Sequence, residues 1–362
     1  MPFVLFLMLP VLGLLYCLWH IWCLLPWAVW FKVTAVVTLA TCFLLIIPTL
    51  MRVPDRLPLS VGTWMYEIGT SSLMIMLYLV MTFLLLDVGR LVGIVPRTWL
   101  YHNGITALAI TFLMTAVFVY GHLHYLHKQR VDIELTTAKP LPKDEVRLVM
   151  VSDLHLGYHH DRQTLHRWVK LINGEKPDVV LIAGDIIDNS VRPLLDEGMA
   201  EELRAIRVPV YAVFGNHEYF AGADRAERFY RQAGIRLLRD SSEVCGPLTI
   251  IGRDDRSNRH RQSLNKLLSG VDKQKYLVLL DHQPYALEQA RRAGIDLQLS
   301  GHTHRGQMWP VSLVTDMIYE KSHGYLRKGN TSYYVSSGLG IWGGKFRIGT
   351  RSEYVVITLR RR

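Results

Sequence analysis

Charge is scarce at the start of this chain. Before about residue 120 the ionised side chains are Lys32, Arg52, Asp55, Arg56, Glu67, Asp87, Arg90 and Arg97. A stretch that long with so few charges excludes an ordinary water-facing domain surface. Cysteine is scarce as well. Cys17, Cys23, Cys42 and Cys245 are the 4 in 362 residues, and no C-x-x-C occurs. That excludes a disulfide framework and a thiolate zinc knot. Acidic residues are outnumbered, 31 against 41 Lys and Arg, for a formal charge of +10. Most of the positive excess therefore belongs to the later part of the chain. A basic surface suits anionic lipid head groups, phosphorylated substrates or nucleic acid. No basic platform interleaved with aromatics stands out, so nucleic acid is not the expected partner.

What fills the charge-poor region is apolar. Runs near residues 3–19, 29–50, 68–86 and 105–124 predict a bundle of about four transmembrane helices within residues 1–124. The first run lacks a basic n-region and the apolar pattern resumes directly after it, so it reads as a helix rather than a signal peptide. Lys32 sits near the edge of the second run, where its stem can snorkel. Residues 51–64 hold Arg52, Pro54, Asp55, Arg56 and Pro58 and read as a polar loop. Asp87 beside Arg90 reads as an interfacial ion pair at a helix end. His122, His124 and His127 share a helix face only in part and read as a juxtamembrane segment rather than a metal site. Residues 125–145, with Pro140, Pro142 and mixed charge, read as a linker. With four spans, Arg52, Arg56, Lys128, Arg130, Lys139 and Lys143 share one side, against Lys32, Arg90 and Arg97 on the other. The positive-inside rule then puts the carboxyl-terminal domain in the cytoplasm.

Residues 146–362 repeat one plan: an apolar run, then polar residues of ligand type. Arg147-Leu148-Val149-Met150-Val151 leads to Asp153 and His155. Val179-Val180-Leu181-Ile182-Ala183 leads to Gly184-Asp185, and Val210-Tyr211-Ala212-Val213-Phe214 leads to Gly215-Asn216-His217-Glu218. Tyr276-Leu277-Val278-Leu279-Leu280 leads to Asp281-His282-Gln283-Pro284, and Leu299 to Gly301-His302-Thr303-His304. Such runs read as buried strands, and ligands gather at the carboxyl ends of strands in α/β proteins. Two histidines at i and i+2 behind a glycine point the same way in extended chain, which suits one metal ion or an adjacent pair. The segment beginning near Arg162, with Leu165, Trp168, Val169 and Ile172 at helical spacing, reads as a covering helix.

D-x-H, G-D, G-N-H-E, H-x-P and G-H-x-H, in this order, resemble the calcineurin-like metallophosphoesterase superfamily over residues 146–362. The resemblance implies an α/β/β/α double-sheet sandwich that binds two divalent ions and hydrolyses phosphoesters. By the same resemblance Asp153, His155 and His304 hold one ion, Asn216, His282 and His302 hold the other, and Asp185 bridges both. His217 sits where the family keeps a histidine that stabilises or protonates the leaving oxygen, with Glu218 near enough to orient it. Oxygen and imidazole donors without thiolate suit Mn, Fe or Zn and do not choose among them. Asp188 reads as a turn residue. Arg253 and Arg256 are candidates for a phosphate contact, with ordinary surface arginine as the alternative. Where the related subgroup has G-H-T-H-G-G-Q, Arg305 replaces the first following glycine, and its side chain is a candidate to narrow the pocket or grip substrate.

That subgroup is one of membrane-associated bacterial phosphodiesterases, some resembling enzymes that cleave UDP-diacylglucosamine. It implies a bacterial inner-membrane protein that cuts a phosphodiester or pyrophosphate of a lipid-linked or nucleotide-sugar substrate. A regulatory phosphoesterase attached to a membrane transporter or sensor is the alternative. Oligomeric state is not indicated.

Overall fold

The computed structural model describes residues 2–362, with side chains from residue 8. The chain divides into two units. One runs up to Leu123 and takes in Gly343–Lys345, and the other holds His124–Trp342 and Phe346–Arg362.

In the first unit the apolar runs are helical, the form in which a segment satisfies its own backbone without water. The helices are Pro2–Leu24, Val29–Leu44 with a continuation Ile46–Leu50, Leu59–Leu91 and Gly104–Leu126. Val29–Leu50, Leu59–Leu91 and Gly104–Leu126 are long and apolar enough to cross a membrane, and Met8–Leu24 is a shorter apolar helix. The third helix outruns the expected 68–86 at both ends. Pro58 stands at its N-cap, so the chain turns helical as soon as the prolines allow. Asp87 lies inside the helix, because partners within the unit satisfy it. Tyr16 donates its hydroxyl to Asp87 Oδ2 at 2.7 Å, and His20 Nε2 lies 3.0 Å from the same oxygen. Asp87 takes these partners in place of the expected Arg90, which reaches the Tyr101 hydroxyl at 3.5 Å. Lys32 is buried and donates to the Trp22 carbonyl at 3.2 Å.

The second unit is built on two six-stranded sheets. The first contains β1 (Lys128–Thr137), β2 (Glu145–Val151), β3 (Val179–Ile182), β4 (Val210–Ala212), β5 (Arg236–Leu237) and β12 (Ser352–Arg361), in the order β1-β12-β2-β3-β4-β5. The second contains β6 (Ser241–Cys245), β7 (Leu248–Gly252), β8 (Tyr276–Leu280), β9 (Leu297–Ser300), β10 (Gly324–Lys328) and β11 (Thr331–Val335), in the order β10-β11-β9-β8-β7-β6. Strands β2 to β5 run parallel, as do β7, β8, β9 and β11, so in each sheet several carboxyl ends open at one edge.

Alternation along the strands sorts the core into layers. Leu148, Met150, Val179 and Leu181 pack with Ile250, Val278, Leu297 and Leu299 between the sheets. Their neighbours Val149, Val151, Val180 and Ile182 face the helix Arg162–Gly174, whose Leu165, Trp168, Val169 and Ile172 are buried against them. Ile251, Leu277 and Leu279 pack on Leu264, Leu267, Leu287 and Ala290 over the second sheet. The result is the α/β/β/α sandwich.

The stretch expected to be a linker is partly sheet. β1 pairs in parallel with β12 along its whole length, and Ile133, Leu135 and Thr137 are buried at alternate positions. The charged residues between them occupy the outer face, which is why mixed charge read as linker. An edge strand with one solvated face has that pattern.

Candidate dinuclear metal centre

Five strand ends bring the ligand-type residues together. Asp153 and His155 follow β2, Asp185 follows β3, and Asn216 and His217 follow β4. His282 follows β8, and His302 and His304 follow β9. The chain must turn sharply at these ends. Asp153, His155, Asp185, His302 and His304 have φ of +53°, +46°, +53°, +71° and +47°. The left-handed region costs a non-glycine residue roughly 1–2 kcal/mol. Such strain gathers where surrounding structure holds side chains in a working geometry.

Donor atoms converge in two groups that share one neighbourhood: Asp153, His155 and His304, and Asp185, His282 and His302, each within 4.8 Å. His155 Nε2 lies 3.0 Å from His304 Nε2, and His304 Nε2 lies 3.4 Å from Asp153 Oδ1. His302 Nδ1 lies 2.8 Å from Asn216 Oδ1. Asp185 Oδ2 stands between the groups, 3.7 Å from His155 Nε2 and 3.2 Å from His282 Nε2.

The tautomers fit a cation. His282 Nδ1 lies 2.7 Å from the Ala183 carbonyl, so that nitrogen carries a proton and donates it. His282 Nε2 is left buried, close to Asp185 but without an aligned hydrogen bond. His155 uses Nδ1 on Asp188 Oδ1 at 3.1 Å and likewise turns Nε2 to the centre. The Nε2 atoms of His155 and His304 face each other at 3.0 Å, a spacing that suits either an N–H···N hydrogen bond or a shared cation. The residues present therefore fit a metal pair, and they offer no thiolate.

Electrostatics divide the ligand set. Burial raises the pKa of Asp185, but the charges of His282, His217 and His155 outweigh it and hold the carboxyl well below its usual range. Burial lowers His302 to about 4, helped by the His282 charge, and lowers His304 well below an ordinary imidazole. Neutral imidazoles and ionised carboxylates are the forms that bind metal, so Asp153, raised by burial, and His282, raised against its burial by Asp185, give up protons when an ion enters.

His217 is placed differently. Its Nδ1 lies 3.2 Å from the Asp188 carbonyl and 3.4 Å from Asp188 Oδ1, and its ring stands edge-on to His155 at 4.5 Å. It also falls within a third group with His155 and Asp185. Burial lowers its pKa, but Asp185 and Asp188 outweigh that and raise it to about 9. Glu218, expected to orient it, does other work. Its carboxylate accepts from the backbone of Asp185 at 3.2 Å, Ile187 at 2.9 Å and Gly215 at 2.7 Å, and so ties the turns after β3 and β4 together.

Two residues escaped the sequence reading. Asp188 is buried and contacts both His155 and His217, so it is no mere turn residue. Arg347 is fully buried and donates to the carbonyls of His304 at 2.8 Å, Ser337 at 2.5 Å and Gly340 at 3.1 Å. It locks the His304 turn to the Ser336–Gly340 loop, whose Gly340 N–H donates to the Asp153 carbonyl at 3.0 Å. Asp188 had one signal, its place three residues after Asp185. Arg347 had none.

The candidate substrate arginines have protein partners. Arg305 takes the left-handed conformation (φ 49°, ψ 41°) that a glycine adopts freely, and its guanidinium lies 3.9 Å from Asp316. Arg253 reaches Asp281 Oδ2 at 3.3 Å and Gln289 at 3.2 Å. Arg256 stacks over the Tyr285 ring at 4.4 Å.

Residues 146–306 match the family described as calcineurin-like phosphoesterase. A transmembrane protein with metallophosphoesterase domain from Danio rerio is 34% identical over 281 residues, 72% of this chain and 63% of that protein. An uncharacterised metallophosphoesterase from Aquifex aeolicus is 31% identical over 262 residues, 69% of this chain and 98% of that protein. Among solved structures, a dimetal phosphatase from Danio rerio is 14% identical with a TM-score of 0.35, covering 56% of this chain and 88% of that one.

Proposed function

Because the chain belongs to the calcineurin-like phosphoesterase family, we propose that it is a membrane-anchored dinuclear-metal phosphohydrolase cutting a phosphodiester or pyrophosphate. The observation that carries this is Asp185 Oδ2 between His155 Nε2 at 3.7 Å and His282 Nε2 at 3.2 Å. One carboxylate is thereby shared by two sets of donors. Asp153, His155 and His304 would hold one ion and Asn216, His282 and His302 the other, with Asp185 shared between the two sets. When bound, the ion pair supplies positive charge at the phosphoryl oxygens and acidifies water, and Mn, Fe and Zn all accept this donor set. His217 is held by Asp188, which with Asp185 raises its pKa to about 9, and it passes its proton to the leaving oxygen. The basic flanks of the apolar segments favour a cytoplasmic catalytic unit at a bacterial inner membrane. Tethering favours a lipid-linked or nucleotide-sugar substrate met at that surface.

A second reading, a phosphoesterase that regulates a transporter or sensor, draws on Asp87 with Tyr16 and His20 inside the apolar helices. Ionisable groups there often mark a transport path.

The test uses the full chain in detergent, stripped with chelator and then given Mn, Zn or Mg, with a chromogenic phosphodiester and the matching monoester. Metal-dependent cleavage, abolished with loss of metal in Asp185→Asn, is the expected result. A folded protein that binds both ions and cleaves neither ester would sink the enzymatic reading and leave the regulatory one.

A further inference from the structure

The helix Val311–Ile318 is inside out. Its buried residue is Ser312. Leu313, Val314, Met317 and Ile318 are 52%, 47%, 78% and 60% exposed, and Trp309 just before it is 49% exposed. A helix on a water-facing surface turns its apolar residues inward. A contiguous apolar face left outside marks an interaction site.

Both ends of this helix are fixed to the metal centre. On the amino side, Gly306 packs so tightly that a Cβ there would lie 2.5 Å from the Val311 carbonyl carbon. Arg305, next to His304, contacts Asp316 on the helix at 3.9 Å. On the carboxyl side Tyr319 follows the last turn, its ring 6.3 Å from that of His302. The Ser322 hydroxyl donates to Asp316, and the Ser322 carbonyl accepts from Thr303 Oγ1 at 2.5 Å, between the two histidines of the site. The apolar face is therefore rigidly registered to the candidate ligands.

Composition points to the occupant. The chain carries three helices able to cross a membrane, so a bilayer is within reach at high effective concentration. Aliphatic side chains bordered by a tryptophan make up the kind of segment that lies in a bilayer interface, and the charges around them balance, Arg305 and Lys321 against Asp316 and Glu320. We infer that the segment 309–318 dips into the bilayer surface and seats the metal centre at the head-group layer. The substrate is then an amphiphile whose phosphoester is cut while its apolar part stays in the membrane. This substrate class rests on the proposed phosphohydrolase; the docking does not.

The test places p-benzoylphenylalanine at Leu313 or at Met317 of the full chain, reconstituted in vesicles of phosphatidylethanolamine and phosphatidylglycerol. Gln274, exposed on a distant loop of the sequence, is the control position. Irradiation and mass spectrometry should find lipid adducts at 313 and 317 and none at 274. Adducts to a second copy of the chain, or none at either site, overturn the docking. In Leu313→Asp/Met317→Asp the ratio of phospholipid to soluble-diester turnover should fall at least about tenfold, since both side chains withdraw from lipid. An unchanged ratio overturns the substrate class. Lipid adducts with no turnover of the soluble diester leave the docking standing and count against the phosphohydrolase reading alone.

Discussion

At the residue scale the proposed acid role rests on His217 and Asp188. Burial alone would empty the His217 ring of its proton, but Asp185 and Asp188 raise its pKa to about 9. The charged form is present below that value and is lost as pH rises through it. Bound cations beside the ring pull the value down, so the alkaline limb of kcat is expected below about pH 9. Asp188→Asn removes a charged partner and should move that limb to lower pH still, read from a pH–rate profile. A limb that stays in place would show that another group sets it. His217→Ala should keep its metal, measured by atomic absorption, while losing rate on the order of 10²-fold or more. Loss of an ion in that variant would make His217 a ligand, as its place near His155 and Asp185 allows.

At the element scale the turn after β9 is decided by backbone space. Gly301 approaches the β2 turn so closely that a Cβ would stand 2.3 Å from Asp153 Oδ2. Gly301→Ala must push that carboxylate aside. The expected outcome is reduced metal content and a rate lower by about 10²-fold, the usual result of displacing a working group by about 1 Å. Full metal content with full rate would show that the turn yields. Arg305 is the opposite case. Its left-handed backbone is strained for any side chain, and its ion pair with Asp316 is long and half-exposed. Arg305→Gly should therefore raise the thermal midpoint, gaining about 1 kcal/mol. A lower midpoint would mean that the Asp316 contact outweighs the strain.

At the scale of the whole molecule, Glu353 joins the two sheets. It lies on β12 and is buried, and it accepts from the Tyr334 hydroxyl at 2.9 Å, where Tyr334 belongs to β11. His323 at 3.0 Å, Arg351 at 2.9 Å and the Ser337 backbone at 3.2 Å complete its partners. Burial raises its pKa, but His323, Arg351 and the Ser337 N–H outweigh that and hold it down at about 2. A depressed carboxyl stabilises the fold above its unfolded pKa of about 4.3, and that stability is lost as pH falls toward about 2. The shift corresponds to roughly 3 kcal/mol. Glu353→Gln should be less stable at pH 7 and should lose stability less steeply between those pH values, measured by urea unfolding in detergent. An acid limb as steep as that of the native chain would remove Glu353 from this role. β1 bears on how the protein is handled. A chain cut near residue 140 would lose the partner of β12 along its full length, so activity is best measured on the whole chain.

The sequence by itself determined the two-part composition and the identity of the ligand-type residues. Runs such as Val179-Val180-Leu181-Ile182 state their own burial, and Gly-His-x-His or Gly-Asp directly after them states what waits at the strand end. Such signals are local, so they survive without a fold. The helix Leu59–Leu91 was legible only in its apolar middle, because what keeps Asp87 helical is Tyr16 and His20 more than sixty residues away. β1 was hidden because an edge strand is half polar. Arg347 and the outward face of Val311–Ile318 were decided by tertiary structure alone, and Asp188 almost so, its one signal being its place three residues after Asp185. One carboxylate, one guanidinium and a short apolar helix are ordinary in sequence. Their roles depend on which distant atoms the two sheets carry to them and on which face is left without a neighbour.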